Sequence, residues 1–493
     1  MAKTVHRNKC SEHALGRSIK EVAAEIHLHP ELAFGFALLW AWTRLVFDTS
    51  SFDGMPLFAY ESRPSAGLVV VLSNALAYLA IGVLFKMKRT VFHVGLYIAL
   101  VAFAMSAGSA LSVASVWLPV ALEESLFLSI LGSVLVGAGV AFGYVEWGRI
   151  LGLLGPRRSL AHACCAMLGS SAILVALNAV PFEVQSCYLA LAPMAVMTVV
   201  ASWLKRTPTK LVHYGAGTEL HVPWRLLVTA AAIGVAFGLA FEVEGMGDYL
   251  DPPLLRNALT LAVSAVLLLL AAVLFKMDFN QLIYRVGIPL AAAGCLGFAV
   301  LGRANKWGGF VFSASYLFLD MLIWVLVAYI IKHQKVSANW IVALVTGSLL
   351  LGRSAGAFSA SFVVGVSSGF YEAQGVVMVV LAYALMLCAL LMVNKRNILA
   401  GWGSTRPAEV DVEGVMGMAC RILGGDKGLT PRETEILALL ARGYSRETVS
   451  KALTLSKETV RTHAANIFKK LGVHSHQELI MLVEEAAKTL QDG

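Results

Sequence analysis

Twelve apolar runs leave this chain very few folds to adopt. They fall at about 32–47, 66–85, 91–117, 125–147, 160–180, 186–204, 224–242, 254–275, 283–301, 310–331, 339–366 and 375–393. An α-helix needs roughly 20 apolar residues to cross the hydrocarbon core of a bilayer. All but the first run, the shortest, come close to that length or exceed it. Of the 493 residues, 58% are hydrophobic and only 14% are charged, which gives a mean hydropathy of +0.73. Such values belong to polytopic membrane proteins. The expected class is all-α, a twelve-helix transmembrane bundle followed by a small helical domain. Charged residues fill the first thirty positions, and the first apolar run lacks a small-residue cleavage site. No cleavable signal peptide is therefore expected.

The seven cysteines, Cys10, Cys164, Cys165, Cys187, Cys295, Cys388 and Cys420, are scattered and odd in number. They form neither a disulfide framework nor a paired CxxC spacing, so no metal site and no cofactor is expected. Adjacent Cys164 and Cys165 read as apolar filler inside a helix.

Loop charge sets the topology. The N-terminal arm carries Lys3, Arg7, Lys9, Arg17 and Lys20. Alternate connections then carry Lys86, Lys88 and Arg89; Arg157 and Arg158; Lys205, Arg206 and Lys210; Lys276; Lys332 and Lys335; and Lys395 and Arg396. The opposite connections carry mostly acids, among them Asp48, Glu123, Glu183, Asp248 and Glu372, with Arg303 and Lys306 the main exceptions. Lys and Arg stay on the cytoplasmic side during insertion, so both termini are expected inside, in a multi-pass inner membrane protein. The basic arm reads as a topology signal that is drawn to anionic lipid.

Leu84-Phe85-Lys86-Met87 closes the second run and Leu274-Phe275-Lys276-Met277 the eighth, 190 residues later. Each lies at the inner end of the second span of a six-span half. Two six-helix halves related as parallel repeats, at 31–204 and 224–393 around a connection at 205–223, resemble the major facilitator superfamily. The resemblance is architectural. In that family's loop signature, Gly-x-x-x-Asp-Arg-x-Gly-Arg-Arg, an Asp and a second Gly stand where this chain has Lys86 and Arg89 after Gly82.

Charges inside spans are costly, about 2.5–3.5 kcal/mol each at the bilayer centre, so they face a partner or a cavity. Asp320 lies mid-span in the tenth run and Arg353 mid-span in the eleventh, at similar depth. They read either as a structural ion pair or as a ligand-binding or coupling element. Arg44, in the outer half of the first run, joins them as a candidate, although it could instead snorkel to the surface. Glu146, Trp147 and Arg149 read as anchors at an inner membrane edge. Gly132, Gly137, Gly139 and Gly143 let helices approach closely.

After Asn394 the composition turns polar. Residues 394–428 read as a linker, and four short helices follow in 429–493. Thr430-Pro431-Arg432-Glu433 is a capping box with Pro at the first helical position. Ser445 and Ser456 cap the second and third helices, and Ser475-His476-Gln477-Glu478 opens the fourth. On the third, Val460, Ala464, Ile467 and Leu471 recur at core spacing, and Lys457, Arg461, Ala465 and Lys469 fall opposite with Thr462 beside them. A tight turn joins the second and third helices, as a helix-turn-helix requires.

Leu429 to Glu433, Glu435 to Leu437, Gly443, Thr459 to His463, Ile467 and Lys470 to Val473 resemble the LuxR/GerE-type helix-turn-helix over about 65 residues. The resemblance implies double-stranded DNA as partner, an inverted-repeat operator, and pairing of two copies through the last helix. It implies base contacts from Arg461, Thr462 and Ala465, and phosphate contacts from Lys457, Thr459, Lys469 and Lys470. The chain departs from the family at Val449-Ser450, at small Ala465 and at His476.

The 35 residues between Asn394 and Thr430 are too few for a phospho-receiver or lactone-binding domain, which takes on the order of 100. The whole resembles membrane-bound LuxR-type regulators with a facilitator-like N-terminal region. The expectation is a one-component regulator whose membrane region senses an unknown small molecule. The alternative is a facilitator-type transporter with a regulatory DNA-binding tail. No clustered nucleophile and base, metal spacing or phosphate loop points to an enzyme, and no catalytic residue is expected.

Overall fold

A computed structural model describes residues 26–27, 29–47, 64–84, 94–117, 122–206, 224–241, 252–275, 277–301, 306–334, 337–366, 370–392, 419–420, 422–441, 444–453 and 455–492. The N-terminal arm, Cys10, most of the loop charges, the facilitator loop after Leu84, the connection beyond Arg206 and Gly443 lie outside the described residues. The chain divides into two compact units, 1–408 and 409–493.

Helical rods stand where the apolar runs place them. They are α1 (Pro30–Phe47), α2 (Pro64–Leu84), α3 (Val94–Trp117), α4 (Leu122–Leu154), α5 (Pro156–Asn178), α6 (Phe182–Arg206), α7 (Trp224–Phe241), α8 (Pro253–Leu269), α9 (Phe279–Leu301), α10 (Trp307–Gln334), α11 (Ala338–Val366) and α12 (Phe370–Met392). Among the described residues nine helices are long and apolar enough to cross a membrane, and the apolar stretches Val69–Val83 and Trp224–Ala240 are shorter. A π-turn at Leu270–Leu274 extends α8, and a second at Leu282–Gly287 lies inside α9.

The internal repeat is visible in the packing. In the first half α1 packs on α5, α3 on α4 and α3 on α6; six helices later α7 packs on α11, α9 on α10 and α9 on α12. The halves meet most broadly at α2 against α11 and α5 against α8, each the image of the other under the same six-helix offset, and α4 of the first half also packs on α10 and α11. Leu84 ends α2 and Leu274 ends the π-turn of α8, so the two tetrapeptides begin at equivalent places. The centre of the bundle is α10, whose apolar window is 94% buried within the protein.

Glycine sets the closest helix pair. Gly234 and Gly238 on α7 face Gly352 and Gly356 on α11. A Cβ at Gly234 would meet the Leu349 carbonyl and lie 2.8 Å from Arg353 N, and one at Gly356 would lie 2.8 Å from Leu239 N. This is the small-xxx-small approach of membrane helices, used by both partners.

Glu146, Trp147 and Arg149 are not edge anchors. The fourth helix continues to Leu154, because Gly148 and Gly152 let its last turns pack on Trp324 and Ile331. Trp147 is fully buried and stacks on Phe36 at 5.1 Å. Arg149 Nε donates to Glu146 Oε2 at 3.1 Å, and Nη2 donates to Asn339 Oδ1 of α11 at 2.6 Å. Glu146 and Arg149 thus form a buried polar knot that ties the first half to the second.

In the second unit the helices are α13 (Pro431–Ala441), α14 (Arg446–Ala452), α15 (Lys457–Leu471) and α16 (His476–Asp492). The capping box at Thr430 forms fully and the one at Ser475 in part. Glu433 N–H donates to Thr430 Oγ1 at 3.2 Å and Thr430 N–H to Glu433 Oε2 at 2.8 Å. Glu478 N–H donates to Ser475 Oγ at 3.1 Å, whereas the Glu478 carboxylate takes the His474 N–H at 2.9 Å. Gly472 closes α15 with φ 71, a left-handed cap that suits glycine. The stretch expected as linker to 428 is partly structural. Ala419 and Cys420 are buried in this unit's core and Leu423 packs against it, because their apolar side chains cover the end of the four-helix module.

Candidate functional site

The third helix of the C-terminal unit, α15, is built to show one face. Ser456 caps it, accepting from Thr459 N–H at 3.0 Å. Val460, Ala464, Ile467 and Leu471 are buried, as their spacing requires. Lys457, Arg461, Thr462, Ala465 and Lys469 lie together on the exposed side. The charged groups there are held loosely. Lys457 Nζ lies 2.9 Å from Glu447 Oε1, and Arg461 Nη1 3.4 Å from Glu458 Oε1, with both cationic side chains 71% exposed. Exposed pairs of this kind contribute about 0–1 kcal/mol, so a phosphate can displace the carboxylate readily.

Two of the expected contact residues also make contacts within the module. The Thr459 hydroxyl lies 2.7 Å from Ser456 Oγ, within the cap. Lys470 turns away from the stripe and donates to Glu433 Oε2 at 2.7 Å and to the Gly428 carbonyl at 3.0 Å. The Lys470 ammonium, helped by the Thr430 N–H, holds the Glu433 carboxyl below the usual carboxylate range. The His474 N–H, helped by Ser475, does the same for Glu478.

The departures from the family pattern find local reasons. Val449 is a core residue, and buried Ser450 satisfies its hydroxyl by donating to the Glu447 carbonyl at 2.8 Å. His476 Nε2 donates to the Leu440 carbonyl at 2.7 Å, closing the end of α13. Such a bond meets one of the carbonyls that a helix C-terminus leaves open.

In the membrane unit the three in-span charges come together. Arg44 and Arg353 both act electrostatically on Asp320. The Arg353 guanidinium lies over the Phe237 ring at 5.1 Å and donates to the Tyr316 hydroxyl. Arg44 does not snorkel outward. Its Nε is buried and its guanidinium lies over Trp40 at 5.3 Å, drawn inward by the Asp320 carboxylate and the aromatic face.

Aromatic side chains surround these charges, and the sequence reading passed over them. Phe237 and Tyr316 stack at 3.7 Å, and Tyr144 tilts on Trp324 at 5.1 Å. Tyr144 donates to Thr43 Oγ1 at 3.3 Å. Two signals were available. Tyr316, Asp320 and Trp324 recur every four residues on one face of α10, and Gly352 and Gly356 flank Arg353 at the spacing of a close helix contact. Among the described residues no group of His, Cys, Asp and Glu could hold a metal ion.

Comparison with known proteins agrees with both halves of this description. Residues 427–483 match the family model "Bacterial regulatory proteins, luxR family". The response regulatory protein YgeK of Escherichia coli (strain K12) is 53% identical over 55 residues, 11% of this chain and 37% of its own length. The Fimbriae Z protein of Salmonella typhimurium is 47% identical over 55 residues, 11% of this chain and 26% of its own. The chain thus spans well under half the length of the curated relatives it matches. A bacterial homologue of the iron transporter ferroportin, in its outward-facing state, aligns with TM-score 0.52 at 16% identity, over 77% of this chain and 99% of its own. That likeness gives the fold alone. The chain is a multi-pass membrane protein with the helical fold of that transporter homologue, as the facilitator-like repeat predicts, and it carries a LuxR-family helix-turn-helix domain at residues 427–483.

Proposed function

We propose that the protein is a membrane-bound one-component transcriptional regulator and not an enzyme. In this reading the membrane unit, 31–204 and 224–393 joined through 205–223, binds a small molecule, and the module at 429–493 reads DNA. Lys457, Arg461, Thr462, Ala465 and Lys469 enter the major groove or hold its phosphates. Thr459 and Lys470 support α15 from within. Two copies pair on an inverted-repeat operator. The positive-inside distribution supports an inner membrane protein with both termini in the cytoplasm, where the module meets DNA.

One observation carries the proposal: α15 buries its apolar stripe completely and leaves a basic face open, in a chain whose remainder is membrane helix. The test is output from the target promoter with Arg461→Ala in the full chain. Output and DNA affinity should fall together, while the amount of protein in the membrane stays constant. Unchanged output would remove Arg461 from the interface.

The transporter fold favours one second reading, an active transporter whose tail controls its own gene. Vesicles holding the chain without residues 425–493 separate the two. Saturable uptake supports transport, whereas binding without flux supports a receptor.

A further inference from the structure

Among the described residues, the half-buried cluster around Asp320 carries more positive charge and more hydrogen-bond donors than it can use. Its charged members among the described residues are one carboxylate, Asp320, and the two guanidiniums that act on it, Arg44 and Arg353. The sum is one excess positive charge inside a bundle of membrane helices, where an uncompensated charge is costly. Three polar atoms in and beside the cluster are buried with no hydrogen-bond partner: Arg44 Nε, Trp40 Nε1 and Tyr78 Oη. Trp40 and Tyr78 are each only 1% exposed. Trp40 lies under the Arg44 guanidinium, and Tyr78 feels both Tyr144 and Asp320. Arg44 Nε and Trp40 Nε1 can only donate, and a tyrosine hydroxyl carries a proton to give. Buried donors of this kind are met by an acceptor or cost free energy.

We infer that the cluster binds a small organic monoanion, a carboxylate on a planar apolar body, with the carboxylate between Arg44 and Arg353. A single negative charge brings the cluster to neutrality. A zwitterion would leave the excess unchanged, and a cation would add to it. Carboxylate oxygens supply the acceptors that Arg44 Nε and Trp40 Nε1 lack, and guanidinium binds carboxylate through charge-assisted, often forked, hydrogen bonds. The rings of Tyr144, Trp324, Phe237 and Tyr316, which pair with one another beside the charges, make the surroundings aromatic and apolar, which favours an organic body over an inorganic ion. This assignment rests on the membrane unit being the ligand-binding half of the proposed regulator.

The test is isothermal titration of the purified full chain in nanodiscs with benzoate and phenylacetate, each beside its neutral amide, and with benzylamine as the cation. Both carboxylates should bind saturably and at least tenfold more tightly than the amides or the amine. Arg44→Gln and Arg353→Gln should each weaken the carboxylates by roughly tenfold or more, the usual effect of losing one charge-assisted contact. Asp320→Asn should leave their affinity equal or higher, because it removes a competing negative charge. Equal affinity for amide and carboxylate, preference for benzylamine, or no carboxylate binding in the millimolar range would each overturn the inference. Promoter output in cells given the same carboxylates tests the regulator separately. Binding without any change in output leaves the anion site standing and removes the sensor. Output that answers to another compound, with no carboxylate bound, does the reverse.

Discussion

Replacing Arg149 with methionine should destabilise the membrane unit far more than replacing Arg149 and Glu146 together. Both residues are nearly inaccessible, Glu146 at 4% and Arg149 at 9% exposure. Arg149 grips both carboxylate oxygens of Glu146, at 3.1 and 3.3 Å, and reaches Asn339 across the seam at 2.6 Å. Arg149→Met leaves Glu146 buried without this cation and Asn339 without this donor. Breaking a buried pair in this way costs about 3–5 kcal/mol. The double substitution Glu146→Leu/Arg149→Met removes the stranded charge along with its partner, and apolar replacements of buried pairs are often neutral. It should therefore recover most of the loss. Asn339→Leu, which removes a single charge-assisted bond, should cost about 1.5–3 kcal/mol. Equilibrium unfolding of the purified chain by SDS in mixed micelles reads all three. A loss under about 1 kcal/mol for Arg149→Met, or a double variant less stable than the single one, would refute a buried knot and restore the edge-anchor reading.

Three further outcomes follow from named contacts. Gly234→Ala puts a Cβ against the Leu349 carbonyl and should cost about 1–3 kcal/mol by overpacking, whereas Gly95→Ala, which meets nothing within 4 Å, should be silent; thermal scans of the two variants decide. Lys469→Met should weaken DNA binding and lower the salt slope by about 0.9, while Lys470→Met should chiefly loosen the module, because its ammonium is committed to Glu433; titrations at several salt concentrations, beside melting curves, separate the roles. Because the Glu433 carboxyl sits below its ordinary value of about 4.3, its contribution is complete above that pH and is lost as pH falls through the lowered folded value. Hydrogen exchange of α13 and α15 amides in the full chain should show that acid loss in the parent protein and a flatter profile in Glu433→Gln.

Much of this molecule was legible in the sequence because its signals are local. Apolar run length gave the membrane helices, since a span is a matter of consecutive residues. Caps gave the small helices, since Thr430 and Glu433 or Ser475 and Glu478 meet within one turn. The stripe Val460, Ala464, Ile467 and Leu471 gave the buried face of α15. The misreadings concern partners distant in sequence. Glu146 and Arg149 look like edge residues until Asn339, 190 positions from Arg149, fills the space beside them. Arg44 looks free to reach the surface until Asp320 supplies a counter-charge within. The contact of Lys470 with Glu433, on another helix, was likewise invisible to the resemblance that suggested a phosphate role for it. Ala419 and Cys420 sit in a stretch that composition marks as linker, yet a core formed by later residues covers them.

The same distant contacts decide where a bound anion could exert force. A ligand shifts a conformational equilibrium only by its different affinity for the two states. Arg44 stands on α1 in the first half and Arg353 on α11 in the second, so a carboxylate held between them binds best when the halves are close at the cluster. The α7–α11 contact has no slack to absorb that pull, because it is backbone against backbone at Gly234, Gly238, Gly352 and Gly356. In the proposed regulator these two helices then move as one body. Resistance comes from the seam, where Arg149 holds Asn339 of the same α11 by side-chain bonds that can re-form at other angles. The last membrane helix, α12, packs on α7 and α9, so displacement of the α7–α11 body would be felt by α12. In the proposed regulator the angle between the halves is therefore the quantity the ligand sets, and α12 is the element that reports it.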